Sequence, residues 1–95
     1  MLIKEIKNRI KAHVQNCNIE IFDESHLHFN HNNRTHGRAH LKAIIISEYF
    51  KGMSLIERHK MIYSILGDDI GKTIHAFSMQ VFTPEESKLK NKKTE

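Results

Sequence analysis

Residues 41–46 read Leu-Lys-Ala-Ile-Ile-Ile, the most continuous apolar run in the chain, interrupted only by Lys42. The run is far shorter than the roughly 20 residues a membrane helix needs, and its β-branched isoleucines favour an extended backbone packed by neighbours. Such a strand has to be central. Its edges need hydrogen-bonding partners, and its apolar face needs helices to cover it.

Both are present in the sequence. Upstream, Leu2, Ile3, Ile6, Ile10, His13 and Val14 recur at helical spacing among charged residues and predict an amphipathic helix over 2–15. Asn16, Cys17 and Asn18 break that pattern, and Ile19-Glu20-Ile21-Phe22 reads as a short strand ending at Asp23. Downstream, Ser54 and Glu57 have the spacing of a capping box, opening a helix whose apolar stripe is Leu55, Ile56, His59, Ile62, Tyr63 and Leu66. Gly67 is placed to stop it with a positive φ. Residues 73–82 alternate, His75, Phe77, Met79 and Val81 to one side and Ile74, Ala76, Ser78 and Gln80 to the other, which predicts a third strand. Thr83-Pro84-Glu85-Glu86 repeats the capping pattern and begins a short last helix. The order α-β-β-α-β-α predicts a two-layer α+β domain with a three-stranded mixed sheet: the first two strands antiparallel, the last two parallel across a helical crossover.

A chain of 95 residues holds one domain. The division expected is a folded domain over 1–86 and a disordered basic tail over 87–95. Net charge is +4, but residues 1–16 carry four basic and one acidic side chain, residues 17–86 seven and nine, and residues 87–95 four and one. The body is therefore slightly acidic, which weighs against a nucleic-acid-binding domain, and the basic ends keep that alternative open. The single Cys17 forms no intrachain disulfide and suits a reducing compartment, where it is expected to pack as a small hydrophobe. The opening Met-Leu-Ile-Lys-Glu-Ile-Lys alternates charge with aliphatics, unlike a signal peptide. A soluble, cytoplasmic, bacterial-type protein is expected, without membrane attachment.

Residues 23–39 are polar, with Leu27 and Phe29 the only sizeable apolar side chains, and loops of that length are usually functional or disordered. They hold His26, His28, His31 and His36, four of the eight histidines. Clustered imidazoles bind zinc or nickel weakly, and a solvated loop explains His26 and His31 nearly as well. His13 and His59 read as packed histidines within helix stripes, and pattern alone makes His75 a partly buried strand residue. Arg58-His59-Lys60 reads as the wet face of its helix. There is no Gly-rich phosphate loop and no HExxH spacing, so an enzyme is not expected.

Asp23-Glu24-Ser25-His26-Leu27-His28, His40 opening the central strand, Ser47 to Ser54, Arg58-His59-Lys60-Met61-Ile62-Tyr63, and Ile74-His75-Ala76-Phe77 ahead of Thr83-Pro84-Glu85-Glu86 resemble, in their order and spacing, the BolA-like family. The resemblance spans about residues 19–86 and implies a class II KH-like topology. It also implies a non-enzymatic partner of a monothiol glutaredoxin, sharing a 2Fe-2S cluster with the glutaredoxin cysteine and glutathione. The family's strand histidine matches His75, and by position His28, His36 and His40 are the candidates for a second ligand from the loop. The family can use a cysteine in that loop; here there is none. Neutral imidazoles can replace two thiolates on one iron, and a chain with two such ligands and no thiolate needs a partner that brings thiolates. Folding should need no metal. Homodimerisation stays open. The alternative function is a DNA- or RNA-binding regulator of the same family, with Lys51, Arg58 and Lys60 as its weak contact set. Against it, Gly67-Asp68-Asp69-Ile70-Gly71 is one residue too long and too acidic for the GxxG clamp of a KH module.

Overall fold

The computed structural model describes residues 2–24, 39–70 and 74–93. In them helix α1 (Leu2–His13) leads through strand β1 (Asn18–Asp23) and strand β2 (Ala39–Ile46) to helix α2 (Leu55–Leu66), strand β3 (Ile74–Phe82) and helix α3 (Pro84–Lys93). The sheet order is β1-β2-β3, so the apolar run is the central strand, as its sequence requires. β1 pairs antiparallel with β2, from Asn18 opposite Ile46 to Asp23 opposite Leu41. β2 pairs parallel with β3. The three helices and the mixed sheet form the α+β architecture expected.

One face of the sheet makes the core. Leu41, Ala43 and Ile45 of β2, Ile19 of β1 and Phe77 and Val81 of β3 are buried in one cluster with Ile6, Ile10 and Val14 from the first helical segment and Ile62 and Leu66 from α2. Between them, Lys42, Ile44 and Ile46 alternate to the opposite face and are half-buried. Both capping boxes form: Ser54 Oγ accepts from Glu57 N–H at 3.1 Å while Glu57 Oε1 accepts from Ser54 N–H at 2.9 Å, and Thr83 and Glu86 exchange the same pair at 3.2 and 2.9 Å. Gly67 ends α2 at φ +56°, a backbone setting glycine adopts at no steric cost.

Four local expectations are corrected. In α2 the buried positions are Arg58, Ile62 and Leu66, while Leu55 and Ile56 at the helix start are 64% and 68% exposed. The stripe is rotated because Arg58, expected on the wet face, is buried with its head bonded and takes a core-facing position. His13, the last residue of α1, is exposed, whereas Val14 beside it turns in. In β3, Ile74 is fully buried although strict alternation puts it opposite Phe77 and Val81. A register shift at the start of the ladder accounts for this. Finally, α3 runs to Lys93, past Ser87 where a disordered tail was expected. Pro84 and the Thr83–Glu86 box start it, and residues 85–93 contain no glycine or proline to stop it.

Candidate functional site

Because β2 and β3 are parallel, their first residues lie at the same end of the sheet. Ala39 pairs with Ile74, but the next residue, His40, pairs with Ala76. His75 is the extra residue at this shift. Neighbouring strands run about 4.8 Å apart, so the backbone of His75 lies beside that of His40. Insertions of this type interrupt the ladder, re-aim side chains and recur beside functional sites. β1 closes the same end: the Glu24 N–H donates to the His40 carbonyl at 2.8 Å. His40 is half-buried, with its Nε2 atom buried.

The register thus brings together two of the four histidines singled out from the sequence, at the end of the sheet where residues 25–38 leave and return. His28 and His36 belong to that segment and lie outside the described residues. Cys17 is not part of this end. It precedes Asn18, which pairs with Ile46 at the far end of β2, and it packs half-buried against the core. Burial pushes its thiol up to about 11, against a smaller downward pull from Lys11. A thiol held protonated is a poor metal ligand and a poor nucleophile. Among the described residues no three His, Cys, Asp or Glu side chains gather as a metal cage. A pair of imidazoles is a donor set that suits one iron of a cluster completed by another molecule's thiolates.

The weak nucleic-acid set does not form a surface triplet. Lys51 and Lys60 are exposed, but Arg58 is 4% exposed and fully engaged. Its Nε donates to the Met53 carbonyl at 3.0 Å, Nη1 donates to the Val81 carbonyl at 3.1 Å, and Nη1 and Nη2 fork onto the Glu86 carboxylate at 2.7 and 3.1 Å. The hydrogen bonds from Arg58, with one from the Thr83 backbone, hold the Glu86 carboxyl down to about 2. Arg9 is also committed, donating to the Leu66 carbonyl at 3.1 Å and to Asp69 at 2.6 Å. Besides Arg9, the exposed cations of the first helix are Lys4 and Lys11.

One contact near the site has no clear sequence signal. The Tyr63 hydroxyl donates to the Phe77 carbonyl at 3.0 Å, two residues beyond His75. The only hint was that a tyrosine in an apolar stripe needs a partner for its hydroxyl.

Comparison with known proteins agrees with this architecture. Residues 10–86 match the family described as BolA-like protein. The chain is 38% identical over 86 residues to the DNA-binding transcriptional regulator BolA of Haemophilus influenzae, covering 90% of this chain and 81% of that protein. It is 33% identical over 87 residues to the Escherichia coli protein of the same name, covering 90% and 80%. Among solved structures, the BolA domain of SufE1 from Arabidopsis thaliana superposes with a TM-score of 0.72 at 30% identity, over 87% of this chain and 92% of that one.

Proposed function

This chain belongs to the BolA-like protein family, and on that footing we propose that it is a non-enzymatic partner of a monothiol glutaredoxin. Its role is to help hold or hand over a 2Fe-2S cluster that the two proteins share with glutathione. The observation that carries the reading is the register of β2 and β3, which sets the backbones of His40 and His75 side by side at the end of the sheet. His75 is one ligand and His40, His28 or His36 the other. Each neutral imidazole offers one lone pair, and the glutaredoxin and glutathione supply the thiolates that this chain does not. The cluster is cargo, and the role of this chain is to present two nitrogen donors and to shield one side of the shared site.

Mixing the protein with a monothiol glutaredoxin, glutathione and reconstituted cluster should give a heterocomplex whose absorption and magnetic-resonance spectra differ from those of the glutaredoxin homodimer. His75→Ala should abolish or alter those spectra while leaving the apo fold intact, and among His28, His36 and His40 one single substitution should do the same. An unchanged spectrum in the His75→Ala complex overturns ligation by that residue and leaves a metal-free regulator of glutaredoxin.

A second reading, a DNA-binding regulator, is favoured by the names of the two bacterial relatives and by the basic ends of the chain. The burial of Arg58 and the acidic body weigh against sequence-specific contact from α2. Any DNA binding is then non-specific and carried by the two ends.

A further inference from the structure

We propose that Tyr63 is a positioning residue for the segment of β3 that carries His75, acting through the Phe77 carbonyl. The inference rests on the cluster-binding reading above.

β3 is an edge strand: β2 pairs with it on one side, and on the other an isolated bridge from Ile70 to Ile74 touches only its first residue. The Ser47 N–H, which follows β2, donates to the Phe82 carbonyl at 2.9 Å, so Phe82 points its carbonyl inward toward β2. Carbonyls alternate along a strand, which sends those of Phe77, Met79 and Val81 to the outer edge. Two of these three are met by side chains of α2: Tyr63 Oη on Phe77 at 3.0 Å and Arg58 Nη1 on Val81 at 3.1 Å. The helix thus pins the outer edge of β3 at two points four residues apart.

The two pins have different consequences. Arg58 secures the end of β3 that leads into α3, and it is buried. Tyr63 secures the other end, one residue past the Ala76 rung where regular pairing resumes after His75. At the register shift the inner ladder is interrupted, so downstream of His75 the strand is restrained first by the Ala76 rung and, on its outer edge, by the Tyr63 bond to Phe77. The Tyr63 and Phe77 rings meet edge to face at 6.4 Å and 76°. Phe77 is 8% exposed and Tyr63 is 42% exposed. A hydrogen bond from so exposed a residue adds little to the global fold, so its specific effect is to hold one short stretch of backbone in place.

Tyr63→Phe removes that hydroxyl and keeps the ring contact. In the apo protein, amide hydrogen exchange at residues 75–79 should accelerate several-fold, while exchange at Ile45 and Ile62 and the melting temperature stay at wild-type values. In the complex with a monothiol glutaredoxin and glutathione, the variant should still bind the partner but show a broadened or shifted magnetic-resonance signature and faster cluster loss. Unchanged local exchange overturns the pin. Accelerated exchange with a wild-type cluster signature overturns the positioning role and makes the bond purely structural. If the wild-type protein forms no mixed cluster at all, the ligand reading itself fails and the positioning role falls with it, whatever the exchange result.

Discussion

Arg58→Ala tests the packing of this domain most directly, because it removes a group that the local sequence presents as a surface cation. The Val81 carbonyl loses its guanidinium donor, and an unsatisfied buried acceptor costs about 1–3 kcal/mol. The Met53 carbonyl loses a second bond, worth about 1 kcal/mol. The Glu86 side chain is 45% exposed and can rehydrate, so the ion pair itself is discounted to about 0.5–1 kcal/mol. The sum is about 2.5–5 kcal/mol, close to the range for breaking a buried pair. For a domain of this size about 3 kcal/mol corresponds to a melting shift of roughly 12–24 °C. Urea unfolding followed by circular dichroism reads the difference, with Glu86→Gln as the milder companion. The companion also has a pH signature. The Glu86 carboxyl is held down to about 2 in the folded protein against an ordinary value of 4.5, chiefly by the hydrogen bonds from Arg58 and then by the Thr83 backbone. Its contribution is therefore fully present above pH 4.5 and is lost as pH falls toward 2, so wild type and Glu86→Gln should converge over that interval. An Arg58→Ala loss below about 0.5 kcal/mol, the range of ordinary surface positions, would place the guanidinium in solvent and refute the packing of α3 through it.

Ile45→Ala should cost about 2–4 kcal/mol in the same assay, since the side chain is fully buried on the central strand; a loss under 1 kcal/mol would contradict that strand's place. Chelators should leave the apo melting temperature unchanged, and unfolding on metal removal would overturn a fold built on its apolar core alone. Cys17 should alkylate at least about tenfold more slowly than glutathione at neutral pH, because its thiol is held protonated. Equal rates would mean that the thiol is not desolvated. DNA affinity should fall linearly in log salt, and replacing Lys88, Lys90, Lys92 and Lys93 by Gln in the full chain should flatten the slope; sequence-selective binding that survives this change would favour the regulator reading.

Elements whose signals are local were legible in the sequence. The central strand follows from six consecutive residues, and both capping boxes follow from side chains three residues apart. Arg58 was not legible, because its partners lie 5, 23 and 28 residues away and periodicity scores a buried arginine as surface. Its apolar stem packs while its head is satisfied by carbonyls and a carboxylate, an arrangement that hydropathy does not register. The start of β3 failed for a related reason. Alternation assumes an unbroken ladder, and the shift at His75 breaks it, which buries Ile74 and removes any inference from strand parity about the histidine beside it.

The candidate site has the same character. His75 was singled out by a motif and His40 by its place ahead of the apolar run, but that the two backbones meet is a property of parallel pairing between residues 35 positions apart. A slip of one rung toward Phe77 would separate them, and no local pattern sets that rung. Two restraints act on β3 itself: the Phe77 and Val81 side chains are buried in the common core, and Tyr63 and Arg58 donate to the carbonyls of those same two residues. Each of the two residues is therefore fixed through both its side chain and its main chain. The extra residue of the register shift is thereby confined to the start of the strand, where His75 stands beside His40.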